Sequence, residues 1–210
     1  DLGASGQNLS SRYQSFDLFS PLFYIAGETP TRAANGRPGK EYWQNKADYR
    51  IEVSLNDSAN QISGFEIITY TNNSPQKLPY LWLQLDQNLF RKESRGSAIT
   101  PYNGSRNGGR GQVFDAGYKI TAVKMIREKN TMTDIPFQID DTRMQVFLPK
   151  DLPAAGGKIQ FRIDFSFISP DYGSDRMGIQ STKNGKVFTI AQWYPRMCVY
   201  DDVSGWNTIP

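Results

Sequence analysis

The clearest regularity in the chain is a two-residue alternation of apolar and polar side chains. In 47–55 (ADYRIEVSL), Tyr49, Ile51, Val53 and Leu55 fall on one phase and Arg50, Glu52 and Ser54 on the other. Successive side chains of a strand point to opposite faces, so this spacing predicts a half-buried β-strand. Asn56 and Asp57 open a turn, and 62–74 (ISGFEIITYTNNS) reads as a second strand ended by Asn72, Asn73, Ser74 and Pro75. Two strands joined in this way predict a hairpin. In 80–88 (YLWLQLDQN), Leu81, Leu83 and Leu85 alternate with Tyr80, Trp82 and Gln84, so both faces are expected to meet other parts of the protein and the strand to be central.

Further strands are predicted at 117–128 (GYKITAVKMIRE), at 142–149 (TRMQVFLP) and at 158–168 (KIQFRIDFSFI), where Ile159, Phe161, Ile163, Phe165 and Phe167 make a regular apolar stripe. Asn184-Gly185, lying between STK and KVFTIAQWY, is a hairpin signal and places Ala191 and Gln192 at the end of a strand. No window keeps a 3.6-residue period and no repeat is present. The predicted fold is therefore mostly β: a saddle-like or sandwich antiparallel domain of roughly seven to ten strands, the number this spacing accommodates.

Two stretches depart from that pattern. Residues 1–40 are polar and broken by Gly and Pro around one apolar knot, 16–25 (FDLFSPLFYI), and are read as an N-terminal extension packing back locally; 41–210 is the β domain proper. The segment 91–111 (RKESRGSAITPYNGSRNGGRG) scatters Arg91, Arg95, Arg106 and Arg110 with Tyr102 alone to stack on a base, which describes a solvated loop rather than a nucleic-acid arm.

Charge and composition narrow the chemistry. With 24 basic and 21 acidic residues and a net charge of +3, no like-charge cluster marks a nucleic-acid partner. No run of about 18 apolar residues predicts a membrane span. One cysteine, Cys198, excludes an internal disulfide and reads as a small buried hydrophobe. The chain contains no histidine, so Ser-His-Asp, Cys-His and H-E-x-x-H sites cannot be assembled from its own residues. Gly-rich NGGRG lacks the Lys-Ser/Thr of a phosphate loop. The acid pairs Asp140-Asp141 and Asp201-Asp202 lack calcium-loop spacing and are expected at turns or strand ends. Trp82, Trp193 and Tyr194 could form a stacking surface, which leaves a free-standing carbohydrate- or protein-binding sandwich as an alternative reading. An exposed apolar patch is expected between Trp193 and Trp206.

Three strings carry a resemblance: 39–57 (GKEYWQNKADYRIEVSLND), 68–97 (ITYTNNSPQKLPYLWLQLDQNLFRKESRGS) and 191–210 (AQWYPRMCVYDDVSGWNTIP). Together they resemble the N-terminal, non-catalytic β domain of a bacterial branch of the aminopeptidase N family of zinc metallopeptidases, in consistent order from Phe16 to Pro210. The resemblance implies a saddle-shaped domain set against a thermolysin-like catalytic domain that follows this segment. It implies zinc bound there by H-E-x-x-H and a downstream Glu, no cofactor and no catalytic residue in this chain, and a periplasmic or cell-envelope location with the leader removed. The implied partners are that catalytic domain and the N-terminus of a peptide substrate. The family's substrate-contacting glutamine matches Gln192. Tyr194 stands where the commoner pattern has an acidic residue and is a second candidate contact; Arg196 follows at a shorter spacing than usual. Arg196, Asp201 and Asp202 match a charged stretch that sets the exit strand, with an Arg-Asp pair expected across the turn.

Overall fold

The computed structural model of the chain describes residues 28–95, 116–128, 131–171 and 177–208. The knot at 16–25 and the loop from 96 to 111 lie outside the described residues. The chain divides into two units, Asp1–Trp43 and Gln44–Pro210. In the first, Arg32 bridges Pro38 around Gly36, and the Arg32 guanidinium sits 5.6 Å from the centre of the Tyr42 ring.

The second unit is antiparallel β. Its strands are β1 (Lys46–Asn56), β2 (Gln61–Asn72), β3 (Leu78–Gln84), β4 (Lys119–Ile126), β5 (Met132–Asp134), β6 (Phe137–Asp140), β7 (Arg143–Leu152), β8 (Gly157–Ile168), β9 (Met177–Thr182) and β10 (Gly185–Ile190). Three two-residue strands follow: β11 (Arg196–Met197), β12 (Tyr200–Asp201) and β13 (Gly205–Trp206). One sheet runs β1-β2-β8-β4-β5 and a second β11-β3-β7-β6, with β9–β10 and β12–β13 as separate hairpins. Ile68 and Tyr70 of β2, Phe161, Ile163, Phe165 and Phe167 of β8, Leu81 and Leu83 of β3, and Met144 and Val146 of β7 share one apolar cluster. The alternation thus places one face of each sheet in a common core, as in a β-sandwich.

Most predicted strands form where the alternation puts them, and β3 is central between β11 and β7. Its register against β7 slips between Leu78 and Tyr80, at Pro79, which has no N–H for the ladder. Strand β1 keeps its predicted phase, but Val53 and Leu55 remain 44% and 49% exposed. It is an edge strand, and its distal half faces Gly64 and Ile62 of β2. The β9–β10 hairpin exists with its loop one residue earlier than the Asn-Gly signal suggests. Thr182 pairs with Gly185, Lys183 and Asn184 form the turn, and Gly185 takes the positive φ of 119°. The Thr182 hydroxyl fixes that choice by accepting from Asn184 N–H (3.2 Å) and donating to Gly185 O (2.8 Å). Strand β10 then ends at Ile190, so Ala191 and Gln192 lie just beyond it. The short β5 and β6 carry too few residues for alternation to register.

Among the described residues, no helix is long and apolar enough to cross a membrane.

Gly64 marks the tightest strand approach. A Cβ there would stand 2.1 Å from Glu52 O and 2.7 Å from Val53 Cα, both backbone atoms. Gly64→Ala is expected to lower the unfolding free energy by about 2–3 kcal/mol, the usual range for overpacking against an unyielding neighbour. Urea unfolding measures it, and an unchanged midpoint would mean that β1 shifts outward at no cost.

Candidate functional site

Strand β3 ends in a 3-10 turn, Asp86–Phe90, whose first three side chains, Asp86, Gln87 and Asn88, are all buried. A buried polar group without a partner is costly, and each of the three side chains bonds to a different part of the chain, although Gln87 Oε1 meets no donor. Asp86 accepts from both Nε (2.9 Å) and an Nη (3.0 Å) of Arg196. Gln87 Nε2 donates to the backbone carbonyls of Ala191 (3.0 Å) and Gln192 (3.1 Å). Asn88 Nδ2 donates to Asp141 O (2.7 Å), and its Oδ1 accepts from Tyr118 N–H (2.9 Å). One turn therefore anchors the segment 191–197, the approach to β4 and the β6–β7 connection.

The segment 191–197 is seated at both ends. Gln192 adopts φ 52°, the left-handed region that a non-glycine residue enters only when its surroundings impose it. Its carbonyl, held by Gln87, also faces the Tyr118 hydroxyl at 3.5 Å. At the other end, Arg196 and Met197 pair with Gln84 and Leu83 of β3, and Met197 N–H donates to the Tyr49 hydroxyl at 2.9 Å. Between them the Tyr194 ring meets Tyr49 and Trp193 edge-on, with centroids 5.4 and 5.3 Å apart, and packs on the core.

The predicted site residues separate. Gln192, Tyr194 and Arg196 share this seat. Arg196 pairs with Asp86, 110 positions earlier, instead of bridging its own turn to Asp201. Asp201 organises the β12–β13 turn by itself, accepting from Val203 N–H (3.0 Å), Ser204 N–H (2.7 Å) and Asn207 Nδ2 (2.9 Å). Partial burial disfavours its charge, but these three donors outweigh that and hold the carboxyl below its ordinary value. The apolar patch expected between Trp193 and Trp206 combines half-buried aromatics with exposed valines. Trp193, Tyr194, Tyr200 and Trp206 are each half-buried against the core, and the exposed apolar side chains of the interval are Val199 (63%) and Val203 (56%). Trp193 and Tyr194 meet edge to face. Cys198 is buried as expected, and burial pushes its thiol up to about 11.

Beside the Asp86–Arg196 pair lies a concavity of about 410 Å³, bordered by Gln84, Leu89, Val199 and Asn207. Neither Gln192 nor Tyr194 borders it.

Within the larger sheet is a residue the alternation hid. Glu66 occupies the inward phase of β2 between Ile51 of β1 and Ile163 of β8, is 0% exposed, and neither carboxyl oxygen has a hydrogen-bond partner. Burial pushes it up to about 9, so it stands neutral at physiological pH. Burial likewise pushes Tyr49 up to about 12 and raises Tyr118 well above its ordinary value. The legible signal was a carboxylate in phase with Ile62, Ile68 and Tyr70. For Asp86, Gln87 and Asn88 it was three consecutive polar residues closing an apolar strand.

No protein-family model matches the chain, and no curated protein is significantly similar to it. The seat is thus defined by its own geometry: two clamped backbone carbonyls and a bidentate ion pair.

Two outcomes follow. Arg196→Ala leaves Asp86, with a side chain 11% exposed, without its cation; it should lower the unfolding free energy by about 2 kcal/mol, read from denaturant midpoints. For Glu66 the folded-state value lies above the unfolded one of 4.5. The unfolded chain therefore releases this proton first, and stability is lost as pH climbs from about 4.5 to about 9, by about 1.4 kcal/mol per unit. Glu66→Gln removes that slope, so its stability relative to wild type should rise steadily between pH 5 and 8. A constant difference across that interval would show that the carboxyl ionises at its ordinary value.

Proposed function

We propose that this chain is the N-terminal, non-catalytic β domain of an aminopeptidase N-like zinc metallopeptidase of the bacterial periplasm or cell envelope, and that Gln192 helps hold the N-terminal residue of a peptide substrate. The observation that carries the reading is the seat of Gln192. A residue held at φ 52° by Gln87, with the Asp86–Arg196 pair fixing the far end of its segment, has a backbone set before any ligand arrives. Preorganisation of this kind reduces the ordering cost of binding. A neutral amide can both donate to and accept from a peptide terminus. Tyr194, the other candidate contact, supports the same segment through its ring packing.

The zinc implied by the resemblance has no ligand set here. The chain lacks histidine, and among the described residues no group of three or more Cys, Asp and Glu side chains converges. The metal belongs to the catalytic domain that the resemblance places after this segment. Val199 and Val203, with the neighbouring concavity, are the surface this domain offers to it.

The test begins with the coding sequence beyond Pro210, which should encode H-E-x-x-H. In the longer protein, Gln192→Ala should lower kcat/KM for aminoacyl p-nitroanilides about 10–100-fold, chiefly through KM, as expected for one lost hydrogen bond to a charged group. Zinc content should not change. Absence of the zinc motif, or an unaltered KM, overturns the reading.

A further inference from the structure

Strand β1 ends the larger sheet, and among the described residues no strand pairs with its outer flank. A free strand edge is a template for another strand, and folded proteins blunt it with a proline, a bulge, an inward charge or a short length. Strand β1 has none of these. It keeps an unbroken register with β2 from Lys46 to Asn56 and contains no proline. Its inward phase, Ala47, Tyr49, Ile51, Val53 and Leu55, is wholly apolar, and Val53 and Leu55 stand exposed. The turn that follows is pinned, because Lys186 Nζ donates to Asp57 O (2.6 Å) and to Asn60 Oδ1 (2.9 Å). At the opposite edge of the sheet, β5 is only three residues long.

The outward phase of β1 shows which strand fits it. It reads Lys46, Asp48, Arg50, Glu52, Ser54 and Asn56, alternating in sign and then neutral. Laid antiparallel on a copy of itself about Ile51, the strand sets Arg50 opposite Glu52 of the copy, twice by symmetry. Asp48 then meets Ser54 and Lys46 meets Asn56, so no like charges face each other. On the inward face the same register sets Val53 against Tyr49 and Leu55 against Ala47, which covers the exposed apolar pair. A parallel pairing in register would put like charge beside like. An axis at Tyr49 would leave Val53 and Leu55 outside the paired strands. Within one chain Arg50 bonds Glu52 along its own strand at 2.7 Å, but both side chains are exposed, and such a pair contributes little and can exchange partners.

We propose that the chain forms a two-fold dimer by antiparallel pairing of β1 with β1 of a second copy about Ile51, joining the two larger sheets into one. A two-fold contact uses both free edges at once, and the short β5 offers no comparable edge, so association stops at the dimer. One strand pair covers less surface than a standard interface, so the dissociation constant is expected at about 10–100 µM. The pairing does not depend on whether Gln192 meets a peptide.

Sedimentation equilibrium of the chain over about 1–500 µM, a range that brackets this constant, tests the pairing. The mass should rise from monomer to dimer and no further. Alternate amides of β1 that point away from β2 should gain hydrogen-exchange protection with concentration. Arg50→Glu opposes acids on both sides of the axis and should weaken the dimer about tenfold or more, and Glu52→Arg should do the same with cations. Combining the two substitutions restores opposite charges in this register, whereas about an axis at Tyr49 it would leave like charges opposed. The double variant should therefore dimerise as wild type does. Because both side chains are exposed, each variant should keep the wild-type thermal midpoint, which separates lost pairing from lost folding. Should a variant lose that midpoint, the protection of wild-type β1 amides decides. The proposal is overturned by a monomer mass throughout, by species larger than a dimer, by β1 protection that ignores concentration, or by a folded double variant that dimerises no better than the single ones.

Discussion

The arrangement of this domain depends on the obligation to satisfy three adjacent buried polar side chains. Asp86, Gln87 and Asn88 leave water together at the end of β3, and their partners lie at 196, at 191 and 192, and at 118 and 141. Arg196 and Asp141 already lie near the turn through the pairing of β3 with β11 and β7, whereas Ala191, Gln192 and Tyr118 are brought there by these bonds. The hydrophobic core holds the sheets face to face without fixing where a connecting segment lies, because apolar contact is not directional. Hydrogen bonds from a rigid turn are directional, and here they fix the course of the chain after β10.

The same economy explains the odd backbone of Gln192. A left-handed φ costs about 1 kcal/mol or more for a residue with a Cβ, and it persists only where its surroundings over-determine it. Two donors on the Ala191 and Gln192 carbonyls and an ion pair four residues on supply that constraint. The second polar cluster of the domain works likewise. Asn72, fully buried at the end of β2, donates to Gln76 O and Pro153 O and accepts from the Ser74 hydroxyl, tying the β2–β3 connection to the β7–β8 turn.

The sandwich was largely legible in the sequence because burial on one face writes itself as alternation. Ile159 to Phe167 announced β8, and Leu81, Leu83 and Leu85 announced a central β3. What escaped was set by contacts between distant positions. The partner of Arg196 could not be read from spacing, since Asp201 is near in the chain and Asp86 is near in space. The hairpin at Gly185 kept its place but not its loop, because the Thr182 hydroxyl favoured a turn one residue earlier. Glu66 was written in the pattern as a polar residue on an apolar phase, yet alternation alone gives no reason to set it apart from the neighbouring outward Phe65. Of the candidate site, Gln192 and Arg196 were named from resemblance, whereas Gln87 and Tyr118, which hold Gln192, and Asp86, which holds Arg196, emerge only from the fold.

The strand order of the larger sheet bears on how such a chain reaches this state. Strand β2 has β1 beside it after a four-residue turn, but its other neighbour is β8, in a register that joins Gln61 to Ile168. Strand β4 pairs locally with β5 but its other flank too waits for β8. During synthesis the β1–β2 hairpin therefore emerges with one long flank unpaired, and it stays so until residues beyond 157 are made. Closure of so distant a pair is slow, and an unpaired flank is a template for other chains. The arrival of β8 is the step that covers this flank and completes the sheet.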